Sequence, residues 1–162
     1  MSGNFIIPEF NKAFFIRLGL LIVVSFVFFG LICRPCVIQG QSMEPTYGAV
    51  GFTFCWCPAF YFSRPRRGQV VIIKYVGRRM LLLKRVVALE GDRVEFRNGV
   101  LLVNGEKFSG DWEEKGPCDW ELEERVVEHG NVYVVGDNRA VGIDEHIFGQ
   151  VPVSRVIGVP LW

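Results

Sequence analysis

Residues 70–103 read VVIIKYVGRRMLLLKRVVALEGDRVEFRNGVLLV, a succession of short apolar runs, each cut by a turn signal. The first run, Val70-Val71-Ile72-Ile73-Lys74-Tyr75-Val76, follows Gly68-Gln69. Gly77-Arg78-Arg79 then predicts a hairpin turn into a second run over 80–89. Glu90-Gly91-Asp92 is the next turn, and Arg93-Val94-Glu95-Phe96 alternates polar with apolar residues. Asn98-Gly99 is a strong hairpin signal into Val100-Leu101-Leu102-Val103, and Asn104-Gly105 predicts another turn. Two more strands are expected at 131–135 and 156–159, and no long amphipathic helix follows Cys36. The fold class read from this pattern is mainly β: an antiparallel β domain behind a single helix.

That helix lies upstream. Residues 18–33, LGLLIVVSFVFFGLIC, carry no charge. Sixteen residues rise roughly 24 Å as a helix, short of a hydrocarbon core about 30 Å thick. Extending the segment to 13–33 gives 21 residues with Arg17 near one end, from where its guanidinium can snorkel to the headgroups. Lys12 and Arg17 precede the apolar run and Arg34 follows it, so the positive-inside rule places the N-terminus in the cytoplasm. The expected organisation is a cytoplasmic segment 1–12, a transmembrane anchor 13–33, and an extracytoplasmic β-rich domain 34–162 at the plasma (inner) membrane. A cleavable signal peptide fits less well, because Cys33-Arg34-Pro35-Cys36 is not an A-x-A-like site. A buried helix of a soluble core is the other alternative.

Composition supports a lipid bilayer as a partner and excludes others. Half of the 162 residues are hydrophobic, and the net charge is +1. Such a balance offers no field for nucleic acid. The five cysteines include Cys33-x-x-Cys36 and Cys55-x-Cys57, but the spacing supplies no clean zinc knuckle. No metal and no cofactor is expected. Cysteine pairing stays open, since an odd count leaves one thiol over within a single chain, and nothing in the sequence fixes an oligomeric state. The aromatic stretch 52–62, FTFCWCPAFYF, reads as a core strand with a loop or as a patch at the membrane interface. Residues 111–128 carry eight acidic side chains and read as a solvated excursion without chemistry.

Two segments carry the chemistry. In Gly40-Gln41-Ser42-Met43-Glu44-Pro45-Thr46, Gly40 permits close backbone approach and Pro45 ends any helix. Ser42 is thereby expected on a fixed loop or strand end just beyond the apolar segment. Lys84 lies within the apolar run 80–89, sharing a face with Leu82, Val86 and Ala88 while Arg85 points away. Desolvation of an amine on such a face disfavours its charged form, and a neutral amine can act as a general base. The competing reading is an edge-strand lysine whose ammonium reaches water.

GQSMEPT, LLLKRVVALEGD and VYVVGDNR, in this order behind an apolar helix, resemble the motif boxes of the type I signal peptidases, a family that includes the mitochondrial inner-membrane proteases. RPRRGQVVIIKY and NGVLLVNGEK resemble the intervening pattern, so the likeness runs from about Arg34 to Val159. The resemblance implies a Ser-Lys dyad, with Ser42 as nucleophile, Lys84 as base and an acyl-enzyme intermediate. It implies the Ser42 N–H as an oxyanion donor, and Gly40 where many bacterial relatives have a second donor serine. Ile38, Gly40, Gln41 and Met43 are the expected substrate contacts. Arg85, Gly136, Asp137, Asn138, Arg139 and Asp144 are the expected supports of the site. The chain departs from the pattern at Gly142, where the family has a serine that orients the lysine, and at His146, where it has an arginine. The implied substrates are precursor proteins bearing signal peptides with small residues at the A-x-A positions. Rival readings are a Ser42, His146 and Asp137 or Asp144 triad, a degenerate β domain that binds exported chains, and a maturation protease for one dedicated substrate.

Overall fold

The computed structural model describes residues 10–74, 81–112, 114, 116–145 and 149–161. Helix α1 spans Lys12–Val27, with the Asn11 side chain accepting from the Phe14 N–H at 2.9 Å, and continues as a π-helical turn over Phe28–Ile32. None of its side chains is buried, and the 21 residues Lys12–Ile32 contain an 18-residue window with a mean hydropathy of 2.6. At 1.5 Å per residue they rise about 32 Å, enough to cross a membrane.

Eleven strands follow among the described residues: β1 Cys33–Gln39, β2 Val50–Trp56, β3 Val70–Lys74, β4 Leu81–Leu89, β5 Arg93–Arg97, β6 Val100–Val103, β7 Glu106–Lys107, β8 Leu122–Val126, β9 Asn131–Val135, β10 Gly149–Pro152 and β11 Val156–Pro160. They form a seven-stranded sheet in the order β1-β2-β11-β3-β4-β9-β10 and a four-stranded sheet in the order β7-β6-β5-β8. The pairings within both sheets are antiparallel. The fold is therefore mainly antiparallel β behind one apolar helix.

Turn chemistry explains the hairpins. Asn98 and Gly99 have φ of 49° and 74°, and Asn104 and Gly105 have 55° and 84°. Both pairs suit two-residue turns whose twist matches the flanking strands. The turn expected at 77–79 lies outside the described residues. The pairing of Lys74 with Leu81 in β3 and β4 brackets it.

The expectation for 111–128 needs correcting. Glu123 and Glu124 lie on a strand, β8, that completes the second sheet, while Trp120 and Val127 are buried in the core that β4 and β9 share with β5 and β6. The two apolar residues outweigh the charges because the charges stay on the solvent side. A second correction concerns Ala88. A bulge between Val86 and Ala88 shifts the register, and Ala88 packs with Val87 in that same shared core, away from the cluster holding Leu82 and Val86. β1 was not foreseen as a strand, since its residues CRPCVIQ lack clean alternation.

Candidate active site

Ser42 sits in the connection between β1 and β2, and three backbone hydrogen bonds hold that loop. Gly40 N–H donates to Ala49 O at 2.9 Å, Glu44 N–H to Gln41 O at 3.1 Å, and Tyr47 N–H to Met43 O at 2.9 Å. Gly40 takes φ of 108°, which a β-carbon would strain, and Met43 is buried as the loop's anchor. The segment after β9 ties the loop down. Asn138 N–H donates to Ser42 O at 3.0 Å, and Asn138 Nδ2 donates to Gln41 O at 2.9 Å. Two consecutive carbonyls around the candidate nucleophile are thus fixed by one asparagine.

The neighbouring Asp137 is fully buried. Arg85 of β4 meets it with a bidentate pair, Nε to Oδ1 at 2.7 Å and Nη2 to Oδ2 at 2.6 Å. Thr46 Oγ1 donates to the same Oδ2 at 2.5 Å. Arg85 Nη1 also donates to Gly68 O at 2.6 Å, and its guanidinium stacks 4.3 Å from the Trp112 ring. Fork-to-fork geometry and full hydrogen bonding are the conditions under which a buried pair offsets its desolvation. The result is a clamp joining β4, the Ser42 loop and the 137–138 segment.

Lys84 is the residue before the clamp's arginine. It pairs with Val71 in register, on the face occupied by Leu82, Val86 and Ile73, and is 3 % exposed. Burial lowers its pKa from the ordinary 10.5 to about 8. Asp137 opposes that shift and the Arg139 charge assists it. Among the described residues no hydrogen bond joins Ser42 Oγ to Lys84 Nζ. Ser42 O accepts from Asn138, and the adjacent Asp137 acts on the charge of Lys84.

The other expected supports divide. Gly136 leads from β9 into the clamp. Arg139 is buried above Phe96 and Trp120, with ring distances of 5.5 and 5.8 Å, and Glu114 lies 3.5 Å from its Nη2. Among the described residues its Nε and Nη2 have no hydrogen-bond partner. Asp144 is exposed on the turn Ile143–Glu145 and makes none of the clamp's hydrogen bonds. Among the described residues a β-carbon at Gly142 would meet open space. His146, and with it the rival triad reading, lies outside the described residues.

A small cleft opens beside Ser42. Ile38, Gly40 and Met43 line it, together with Ile72 and Leu83. The Gln41 side chain is exposed and does not line the cleft, its carbonyl being held by Asn138. Sequence reasoning missed Thr46, Gly68 and Trp112. Thr46 lay within the quoted serine motif and could have been weighed as a clamp member. Trp112 sat in the acidic stretch and gave no such signal.

Residues 9–161 match the family model for signal peptidase, peptidase S26. The chain belongs to that family. Among its curated relatives, the probable thylakoidal processing peptidase 2 of Arabidopsis thaliana is 32% identical over 145 residues, 85% of this chain and 39% of that protein. Thylakoidal processing peptidase 1 is 30% identical, covering 85% and 43%. The chain thus spans about two fifths of the length of these plant relatives. Signal peptidase IB of Staphylococcus aureus is 26% identical over 160 residues, 88% of this chain and 83% of that one. A crystal structure of a signal peptidase I from Enterococcus faecalis V583 aligns with a TM-score of 0.47 and 24% identity, over 60% of this chain and 97% of its own.

Proposed function

We propose that this S26 family member is a membrane-anchored serine endopeptidase that removes N-terminal signal peptides from exported precursors. Ser42 is its nucleophile and Lys84 its general base. The observation that carries this reading is the buried amine of Lys84, depressed to about 8, next to the clamp that fixes the Ser42 loop. At pH 7 about a tenth of such amines are neutral and able to accept a proton.

The chemistry runs in two halves. Lys84 Nζ accepts the proton of Ser42 Oγ as that oxygen attacks the scissile carbonyl, and the Ser42 N–H is positioned by its loop to donate to the developing oxyanion. Lys84 then protonates the leaving amine, and the signal peptide remains esterified to Ser42. Water, deprotonated by Lys84, hydrolyses the acyl-enzyme. The Arg85–Asp137 pair and Asn138 act as positioning residues, because any drift of β4 against the serine loop would separate base from nucleophile. Gly136, Arg139 and Asp144 are assigned to support of the same site. Ile38, Gly40, Gln41 and Met43 are assigned to substrate contact, and the apolar walls of the cleft favour small side chains next to the cut.

Helix α1 supplies the anchor, with the N-terminus cytoplasmic and the β domain on the far side of the plasma (inner) membrane. Near the helix end, Phe29 packs 5.9 Å from Phe54, which lies edge-on to Phe52 at 5.0 Å. Phe52, Val37, Val50 and Phe62 are exposed around it. These apolar side chains are suited to the headgroup boundary, which brings the Ser42 loop close to the plane in which a precursor's signal peptide lies.

The test is cleavage of a precursor with an A-x-A site by the full chain in detergent, comparing wild type with Ser42→Ala. The account expects a cut after the A-x-A site and a loss of at least about 10⁴-fold in the variant, as for other paired nucleophile sites. Undiminished cleavage by Ser42→Ala overturns it.

A further inference from the structure

The thiols around the cleft have no place in that chemistry, and their arrangement gives them one of their own. We propose that Cys36 and Cys55 are a modification site for small-molecule disulfides, closing reversibly into a disulfide in the wall of the cleft.

Arg34 pairs with Cys55 and Cys36 with Thr53 across β1 and β2, so Cys36 and Cys55 are diagonal neighbours on one face. Cys36 Sγ donates to Arg34 O at 3.5 Å, and Cys57 Sγ donates to Cys55 Sγ at 3.9 Å. Among the described residues all five cysteines are free. The three sulfurs pack against Ile72, Leu81 and Leu83, and Cys36 lines the cleft that also holds Ser42, Ile38 and Met43. A reagent that enters the cleft therefore meets Cys36 first, while Cys55 lies behind it, fully buried.

The reactivities suit an attacking and a resolving thiol. The hydrogen bond from Cys55 holds the Cys36 thiol down at about 7, against its burial, with Arg34 assisting. The same bond is the first of the causes that push the Cys55 thiol up. Cys36 as thiolate attacks one sulfur of a disulfide RSSR, forming a Cys36–SR mixed disulfide and expelling RS⁻. With its acceptor gone, Cys55 is no longer held as a donor. It passes its proton to the departing thiolate, attacks Cys36 Sγ and expels the second RS⁻. In balance, one RSSR is reduced to two RSH while two protein thiols are oxidised to one disulfide. Closing the sulfurs to about 2.05 Å turns the Cys36 sulfur toward Cys55 within the β1–β2 pair. β1 also carries Ile38 into that cleft, so oxidation reshapes the surface on which a substrate rests.

Full chain in detergent micelles is treated with oxidised glutathione, alkylated, and mapped by mass spectrometry without reduction. Expected is a peptide linkage between Cys36 and Cys55 that dithiothreitol reverses, and that Cys118→Ala leaves intact. Cys55→Ala is expected to stop at glutathione on Cys36. The cleavage rate of the oxidised protein should fall about tenfold and recover on reduction. That rate effect rests on reading the cleft as the peptidase site, whereas the linkage is read by mass alone, so the two can fail separately. A linkage of Cys55 to Cys57, or glutathione on Cys118 alone, overturns the proposal, and a Cys36–Cys55 linkage that leaves cleavage unchanged overturns its effect on the cleft.

Discussion

The two sheets treat charge in opposite ways. Around the four-stranded sheet the interior is apolar, with Val94, Phe96, Leu101, Val103 and Trp120 packed together. Its ion pairs, Arg97 with Glu95 and Arg93 with Glu124, involve surface arginines. The seven-stranded sheet, where β4 meets the 137–138 segment, buries Lys84, Arg85, Asp137 and Asn138 within a few residues of one another, and Arg139 carries one more buried charge onto the Phe96 and Trp120 rings of the other sheet's core. Each of those groups loses hydration, and a cluster of apolar residues would be cheaper. The difference teaches where stability has been traded for geometry: one sheet holds the domain together, and the other holds a reactive arrangement still.

The sharpest way to break that comparison is Asp137→Ala. It leaves the Arg85 guanidinium buried without its carboxylate and frees Thr46, and the expected loss is about 3–5 kcal/mol in urea denaturation. A loss below about 1 kcal/mol would mean that the clamp is incidental. Next is Lys84→Met, which should stabilise. The folded amine is depressed from 10.5 to about 8, so the unfolded chain binds more protons across that interval. The penalty of burying the amine is fully present below about pH 8 and vanishes as pH rises through 10.5. Its size is roughly 3 kcal/mol at pH 7, and denaturation at pH 7 and pH 10.5 should show the gain shrinking. Smallest is Trp120→Phe in the other sheet, which removes the hydrogen bond from Nε1 to Val141 O. The expected cost is about 1–2 kcal/mol, with cleavage per folded molecule kept within about threefold. A large change in cleavage there would dissolve the division between the sheets.

That division also follows what could be read in the sequence. The hairpins at Asn98-Gly99 and Asn104-Gly105 and the strands at 131–135 and 156–159 were legible because turn residues and β-branched runs act locally. Lys84 could be aimed at an apolar face by alternation, since Leu82 and Val86 flank it in step. Ala88 could not, because a bulge depends on the partner strand and leaves no mark in the run itself. The bidentate Arg85–Asp137 contact joins residues 52 positions apart, and no spacing rule reaches that far. Trp112 was hidden for a similar reason: its acidic neighbours suggested solvent, while its ring is held by a guanidinium contributed by β4.

The central claim is that an amine lodged in an apolar face, and not a surface group, takes the proton from Ser42. The most direct test is the pH dependence of kcat/KM for precursor cleavage between pH 6 and 10, with Lys84→Ala alongside wild type. The account predicts a tenfold rise per pH unit that levels off above about pH 8, the value to which burial brings Lys84, and near-complete loss of cleavage in the variant. A flat profile across that range, or a Lys84→Ala protein that still cuts at a comparable rate, would contradict it.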